Sequence, residues 1–417
     1  MPRIPRIPDD FRRVQLAVGA QFLLLGFQYA SWASRMPAIK AGLGLSDAEV
    51  GTLLMACGIG AAGSFPLVAA VIKRFGSAAV CLGAAVPLAF VPLALGAAPD
   101  YPVALAVAVV DGVALACLDV AMNAQGAQLE EQFERKTIGL LHATFSAGAL
   151  LGALLASAVT GATGGLTVHF AIVAGVVLVL AGFARGSLLP SAPAEPEPAS
   201  ASTDSGAGER RRRGLRMALP ARATLWVGVA IAFATIVEGA MNDWSALYLK
   251  NAAHAAASLT PLGIAVFSIA MVLARIFSDG WRKRWGDARV VVVGSCVACV
   301  SLAVAVLWGG AAPALGGFAL VGLGIAAVAP CVYVAAARIG TEALALVSAM
   351  GTVGLLVGPG AIGLIAGSGG LGWAMGAVAI AAGVVAVSVS RIPWRPEPRS
   401  EEVVAGYLHT ADPQHVG

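Results

Sequence analysis

The sequence predicts an all-α membrane protein of twelve transmembrane helices arranged as two parallel-related six-helix halves. Three observations predict it: an apolar composition, twelve apolar runs of bilayer length, and an internal repeat. Of the 417 residues, 58% are hydrophobic without counting 51 glycines, and 12% are charged, against about 25% charged in soluble domains. Ala, Val, Leu and Gly dominate and aromatic residues make up 6%. That balance favours closely packed helices over a barrel of alternating strands.

A span needs about 20 apolar residues. The runs in the first half are 14–37, 47–72, 78–98, 102–126, 137–160 and 165–188; those in the second are 222–249, 258–281, 288–309, 313–338, 342–367 and 370–391. The predicted organisation is therefore a tail (1–13), a first half (14–188), a linker (189–221), a second half (222–391) and a second tail (392–417). The linker is rich in Pro, Ala, Ser and Glu before turning basic at Glu209 to Arg213; such a composition cannot bury a core and predicts disorder. The basic, proline-broken N-terminus leads into the first span with no small-residue cleavage site, so no cleaved signal peptide is expected.

Charge distribution orients the bundle. With the N-terminus in the cytoplasm, all of the 27 Lys and Arg residues except Arg35, Lys40, Lys250 and Arg275 fall on the cytoplasmic side. So strong a bias puts both termini inside and requires an even number of spans. The six cysteines all lie in apolar runs and define no disulfide framework; Cys296 and Cys299 have CxxC spacing without a second ligand pair, and read as packing. No metal cluster, nucleotide loop or nucleophile with its base is present, so neither an enzyme nor an ATP-driven pump is expected, nor a metal, cofactor or nucleic-acid partner.

The repeat is legible residue by residue. Lys73-Arg74-Phe75-Gly76 recurs as Lys283-Arg284-Trp285-Gly286, and Gly148, Gly152 and Gly161 recur as Gly354, Gly358 and Gly367. Matching order and spacing predict two halves related in parallel, as in one large class of transporters.

Polar residues inside these spans are the functional candidates, because a carboxylate at mid-bilayer costs roughly 2.5–3.5 kcal/mol on insertion scales. The fourth span carries Asp111 and Asp119 in the stretch DGVALACLDVAMNAQG, with Asn123 on the Asp119 face. The first span carries Gln21, Gln28 and Arg35 at seven-residue intervals, a single stripe with Trp32 beside it. Arg35 reads either as a clamp for a polar solute or as a snorkelling interfacial arginine. The seventh span places Glu238, Asn242 and Ser245 on one face, with Asp243 on another flank. His142, counted back from a loop at 127–136, is expected level with Asn123, able to share a proton with Asp119. Tyr333, near Pro330, offers an aromatic wall. Asp119, Glu238 and His142 are thus the proton-coupling candidates; Gln21, Gln28, Trp32, Arg35, Asn123, Asn242, Ser245 and Tyr333 are the solute-cavity candidates.

The chain resembles the major facilitator superfamily over 14–391. The loop after the second span is similar to its Gly-x-x-x-Asp-Arg-x-Gly-Arg-Arg signature at Arg74 and Gly76, and departs from it with Ala69 for the first glycine, Lys73 for the acid and Ser77-Ala78 for the basic pair. The matching place in the second half has Arg275 and Asp279 four apart, expected to pair along the helix, then Arg284 and Gly286. The resemblance implies that these residues form a gating loop, and that the first, fourth, seventh and tenth spans line the cavity. Residues 31–46, 118–126, 142–153 and 238–249 look like a bacterial inner-membrane branch near the fucose permeases. The implied function is alternating-access transport of a small solute by a monomer in the bilayer, coupled to protons, with symport of a sugar-like or polar metabolite favoured because the fifth-span proline signature of drug antiporters is absent at Ala153. Efflux by antiport and ligand sensing without transport are the alternatives.

Overall fold

A computed structural model describes residues 9–190, 222–392 and Trp394. The predicted linker and most of both tails lie outside the described residues. The first half comprises α1 (Asp9–Ala33), the short α2 (Met36–Leu43), α3 (Asp47–Phe75), α4 (Ser77–Gly96), α5 (Tyr101–Phe133), α6 (Ile138–Ala162) and α7 (Leu166–Ala184). The second comprises α8 (Arg222–Asn251), α9 (Leu262–Trp285), α10 (Asp287–Trp308), α11 (Ala311–Ile325), α12 (Val328–Ile339), α13 (Thr341–Gly369) and α14 (Leu371–Ser390). No strand occurs among the described residues. Eleven spans are long and apolar enough to cross a membrane, with α11 and α12 together forming one. The twelfth is α1, whose Gln15, Gln21 and Gln28 lower its hydropathy; it packs along α5, α6 and α7 inside the bundle.

Local chemistry sets the boundaries. Ser46 caps α3 in a reciprocal box with Glu49, and Asp100 caps α5 by accepting from Val103 N at 3.0 Å. Gly76 and Gly286 end α3 and α9 in nearly the same backbone conformation, φ 85 and ψ 154 against φ 79 and ψ 153. That left-handed region suits glycine. Arg74 lies over the Phe75 ring and Arg284 over the Trp285 ring, so the loop repeats in side chains as well as in backbone.

Two boundaries differ from expectation. The expected loop at 127–136 is largely helical, because α5 continues to Phe133 and Glu130 Oε1 then accepts from Ile138 N at 2.8 Å at the start of α6. The tenth span, expected to be continuous, breaks between α11 and α12. Pro330 has no N–H to give the carbonyl of Ala326, four residues back, and its ring crowds that carbonyl.

The halves repeat their packing. In the first, α1 lies against α6, α3 against α5, and α4 against α5 and α7; in the second, α8 lies against α13, α9 against α11, and α10 against α11 and α14. Glycine permits matching close crossings in the two halves: a Cβ on Gly148 would stand 2.1 Å from Leu23 O, and one on Gly354 2.3 Å from Ala232 O.

The halves meet through α3 with α13 and α6 with α9. Along α3 and α13 the close approaches run from Ala48 with Gly367, through Gly51 with Gly363, to Gly58 with Leu356. Ser157 Oγ donates to Ser258 O at 2.6 Å at the same end. The bundle is therefore shut at the end that carries the α1–α3 and α13–α14 connections. Half-exposed polar side chains lie further toward the other end.

Candidate functional site

Two polar groups of different character lie between the halves. The first is deeply buried, near the closed end. On α1, Gln28 Nε2 donates to Asp111 Oδ1 of α5 at 3.0 Å, and Cys57 of α3 donates its thiol hydrogen to Asp111 Oδ2 at 3.7 Å. The next residue, Tyr29, donates its hydroxyl to Asp243 Oδ1 of α8, a hydrogen bond from one half to the other. Asp111 and Asp243 are both buried, and neither has a cation within ion-pair distance among the described residues.

The second group is wetter. Glu238, five residues before Asp243 on α8, is about 7 Å further from the closed end by helical rise. Arg275 Nη2 of α9 stands 3.5 Å from Glu238 Oε1, with 36% of each side chain exposed. Arg275 Nη1 also donates to Ser146 Oγ of α6 at 3.4 Å, so the arginine links the halves. Tyr333 of α12 and His142 of α6 lie within electrostatic reach of Glu238 and Arg275 respectively. Asn242 Nδ2 donates to Glu238 O at 3.0 Å, back-bonding within its own helix. The α11–α12 break places Tyr333 on a short separate helix that packs against α8.

The remaining expected residues divide as follows. Asp119 is half-buried and accepts from Asn123 Nδ2 at 3.2 Å. Its expected partner His142 makes no hydrogen bond to it among the described residues. Because α5 runs on to Phe133, His142 falls nearer Gly126, whose neighbour is Leu141, and its ring meets Phe22 edge to face at 5.2 Å. Gln21 and Ser245 are fully buried with no protein partner for their side-chain polar atoms, and the Trp32 indole N–H is likewise unpartnered.

Arg35 is held by protein atoms. It is 3% exposed and does not snorkel to the surface. Nη1 donates to Thr160 Oγ1 and Nη2 to Gly164 O at 2.7 Å, so its fork closes the C-terminal end of α6, where unpaired carbonyls and the helix dipole favour a cation. Arg275 is engaged by Glu238 and Ser146; its expected pairing with Asp279 lies outside the described residues. In the loop positions, Lys73 and Arg74 close α3 and Arg284 closes α9, each followed by its glycine, Gly76 or Gly286.

The cross-half bond of Tyr29 to Asp243 and the placing of Asp111 were not foreseen. Asp111 and Gln28 were both visible as intramembrane polar residues, but nothing in one sequence turns their helix faces toward each other. Two surface grooves, of about 490 and 550 Å³, are apolar and lined by residues such as Trp285 and Phe75; no residue of either polar group lines them. No group of metal-ligating side chains occurs among the described residues.

Two repeated six-helix halves enclosing a polar cleft, shut at one end, define the fold of a rocking secondary transporter. The chain belongs to the Major Facilitator Superfamily, whose model matches residues 18–341 and 254–406. An uncharacterised MFS-type transporter of Yersinia pestis is 32% identical over 350 residues, covering 83% of this chain and 87% of the relative. A mutant of the nucleoside transporter NupG superposes with a TM-score of 0.70 at 15% identity, covering 93% of this chain and 100% of that one. A bacterial homologue of the human lysosomal transporter Spinster, in an inward-facing and unoccupied conformation, gives 0.69 at 16% identity, covering 94% and 100%. At such identities the likeness is one of fold. These matches establish the superfamily as a whole and not the fucose-permease branch in particular.

Proposed function

We propose that this chain moves a small, polar, sugar-like solute by proton-coupled symport, with Glu238 and Arg275 at the solute site. One observation carries the reading: a half-exposed pair of opposite charges in the cleft, with Arg275 reaching across from the second half to Ser146 of the first. A carboxylate accepts hydrogen bonds from solute hydroxyls and a guanidinium donates them, while Tyr333 supplies an aromatic wall. Their net charge balances, which suits an uncharged or zwitterionic solute better than an anion. Asp119, half-buried and bonded to Asn123, is the further polar group assigned to this opening.

The charge bias of the loops supports a bacterial cytoplasmic-membrane protein with both termini in the cytoplasm. The shut end then faces outward and the cleft opens inward. The test is counterflow in proteoliposomes, loading unlabelled hexoses or nucleosides inside and following entry of labelled solute. The reading expects exchange of one of these classes, and at least about a tenfold weaker apparent affinity in Glu238→Gln, matching about 1.4 kcal/mol of lost binding. Unaltered affinity in Glu238→Gln would remove that carboxylate from the solute site.

A further inference from the structure

We propose that Asp243 is a proton-binding site of the closed end, holding a proton while Tyr29 is locked onto it and releasing it when the halves part. The proposal rests on the transport reading but concerns a different place: the buried interface of α1, α3, α5 and α8, beyond the solute pair. Its geometry is specific. Tyr29 belongs to one half and Asp243 to the other, so their bond exists only while the end is shut.

The groups facing Asp243 cannot neutralise a carboxylate there. They are the Tyr29 hydroxyl of α1, the Cys57 thiol of α3 and Asp111 of α5, which shares Cys57 and Tyr29 with it. The other charges on α8 are Glu238, which Arg275 of α9 engages, Lys250, exposed to solvent about two turns beyond Asp243, and Arg222, exposed at the far end. Lys40 of α2 is held by Asp47. Helix α12 carries Tyr333, near Glu238, and Arg338 close to its far end; α13 carries Glu342 at the far end, and α11 and α14 carry no titratable residue. Burying one carboxylate without a cation is expensive, and two beside the same thiol more so; buried acids of this kind neutralise by taking up a proton. Gln28 adds an independent sign of an unfinished network: it is fully buried, its Nε2 serves Asp111, and its Oε1 has no protein partner.

The cycle follows from the geometry. When the end opens, Tyr29 withdraws, water reaches Asp243, and the O–H bond of its carboxyl breaks with the proton passing to that water. Reclosure requires a proton to return to the carboxylate from solvent at that same end, so opening and closing exchange one proton with that side, none crosses the membrane through this site, and closure is favoured by low pH there. Asp111 stays within the first half, tethered by Gln28 and Cys57, and sets the negative field that opposes closure over an ionised Asp243.

Infrared spectroscopy of the reconstituted protein tests this without a known solute, through the stretching band of protonated carboxyls at about pH 7. The band should lose intensity in Asp243→Asn, change frequency in Tyr29→Phe, and persist in Asp119→Asn. A band unaltered by both Asp243→Asn and Tyr29→Phe, or one removed by Asp119→Asn alone, would overturn the proposal. Should Asp243→Asn not fold, the frequency in Tyr29→Phe decides. With a counterflow solute in hand, the parent's rate should fall as the pH rises on the side of the closed end, and in Asp243→Asn it should vary less than about twofold over the same range; an equal pH dependence in the two would overturn the proposal. Counterflow absent from the parent would refute transport, while the band would still report on the proton site.

Discussion

Adding one methyl group at Gly51 should open the closed end without unfolding either half. A Cβ there would stand 2.8 Å from Gly363 Cα, 2.9 Å from Pro359 O and 3.3 Å from Gly363 N. Carbon atoms prefer about 3.5–4.0 Å, and all three obstacles are backbone atoms of α13, which have no rotamer to change. The clash therefore demands a separation of α3 from α13 approaching 1 Å. Overpacking of this kind costs about 1–3 kcal/mol, and α3 and α13 belong to different halves, so rocking relieves it. The closed state should lose about 5- to 150-fold in population relative to the open one. Spin labels at Gly42→Cys and Ala256→Cys, exposed positions in opposite halves at that end, read the separation by double electron–electron resonance once the native cysteines are replaced. Gly51→Ala should shift the distances to longer values. The control is Gly148→Ala, whose Cβ would meet Leu23 O at 2.1 Å within a single half; it has no rocking route and should lower the melting temperature instead. Unchanged distances with a lowered melting temperature in Gly51→Ala would refute the reasoning.

Two further outcomes are expected. Arg35→Lys keeps the charge but loses the fork that joins Thr160 and Gly164; thermal unfolding in detergent should show a loss of about 1–3 kcal/mol, and an unchanged melting temperature would deny the clamp on α6. A reporter fused within 199–208 should read cytoplasmic and one near Ala252 periplasmic, the reverse pattern contradicting the orientation drawn from the Lys and Arg distribution.

The repeated features were the most legible part of the sequence. Lys73 to Gly76 and Lys283 to Gly286 announced a chain reversal that the backbone repeats at Gly76 and Gly286. Gly148 and Gly354 announced the repeat of the halves, and each sits at a helix crossing, α1 on α6 and α8 on α13. Both are local signals: a conformation only glycine takes easily, and a face too small to hold neighbours apart. The site was legible only as a list of intramembrane polar residues. Helical periodicity says which residues share a face, as it did for Asp119 with Asn123, but not which neighbour that face meets. Thus Tyr29 with Asp243, 214 residues apart, lay beyond its reach. So did Arg35, whose partners are a hydroxyl and a backbone carbonyl of another helix. The break before Tyr333 was implicit in Pro330, yet a proline in a span can kink a helix or divide it, and only the packing of α12 against α8 and α13 shows which.

The central claim is that the two halves carry a solute past Glu238 and Arg275 rather than merely bind it. Solute binding and counterflow measured on the same reconstituted preparation test it most directly, with quenching of tryptophan fluorescence reporting binding and labelled solute reporting exchange. The account predicts that any hexose or nucleoside that binds is also exchanged, and that Glu238→Gln weakens both together. A solute that binds in a Glu238-dependent manner without counterflow in the parent would show a sensor built on a transporter fold, and would contradict the account.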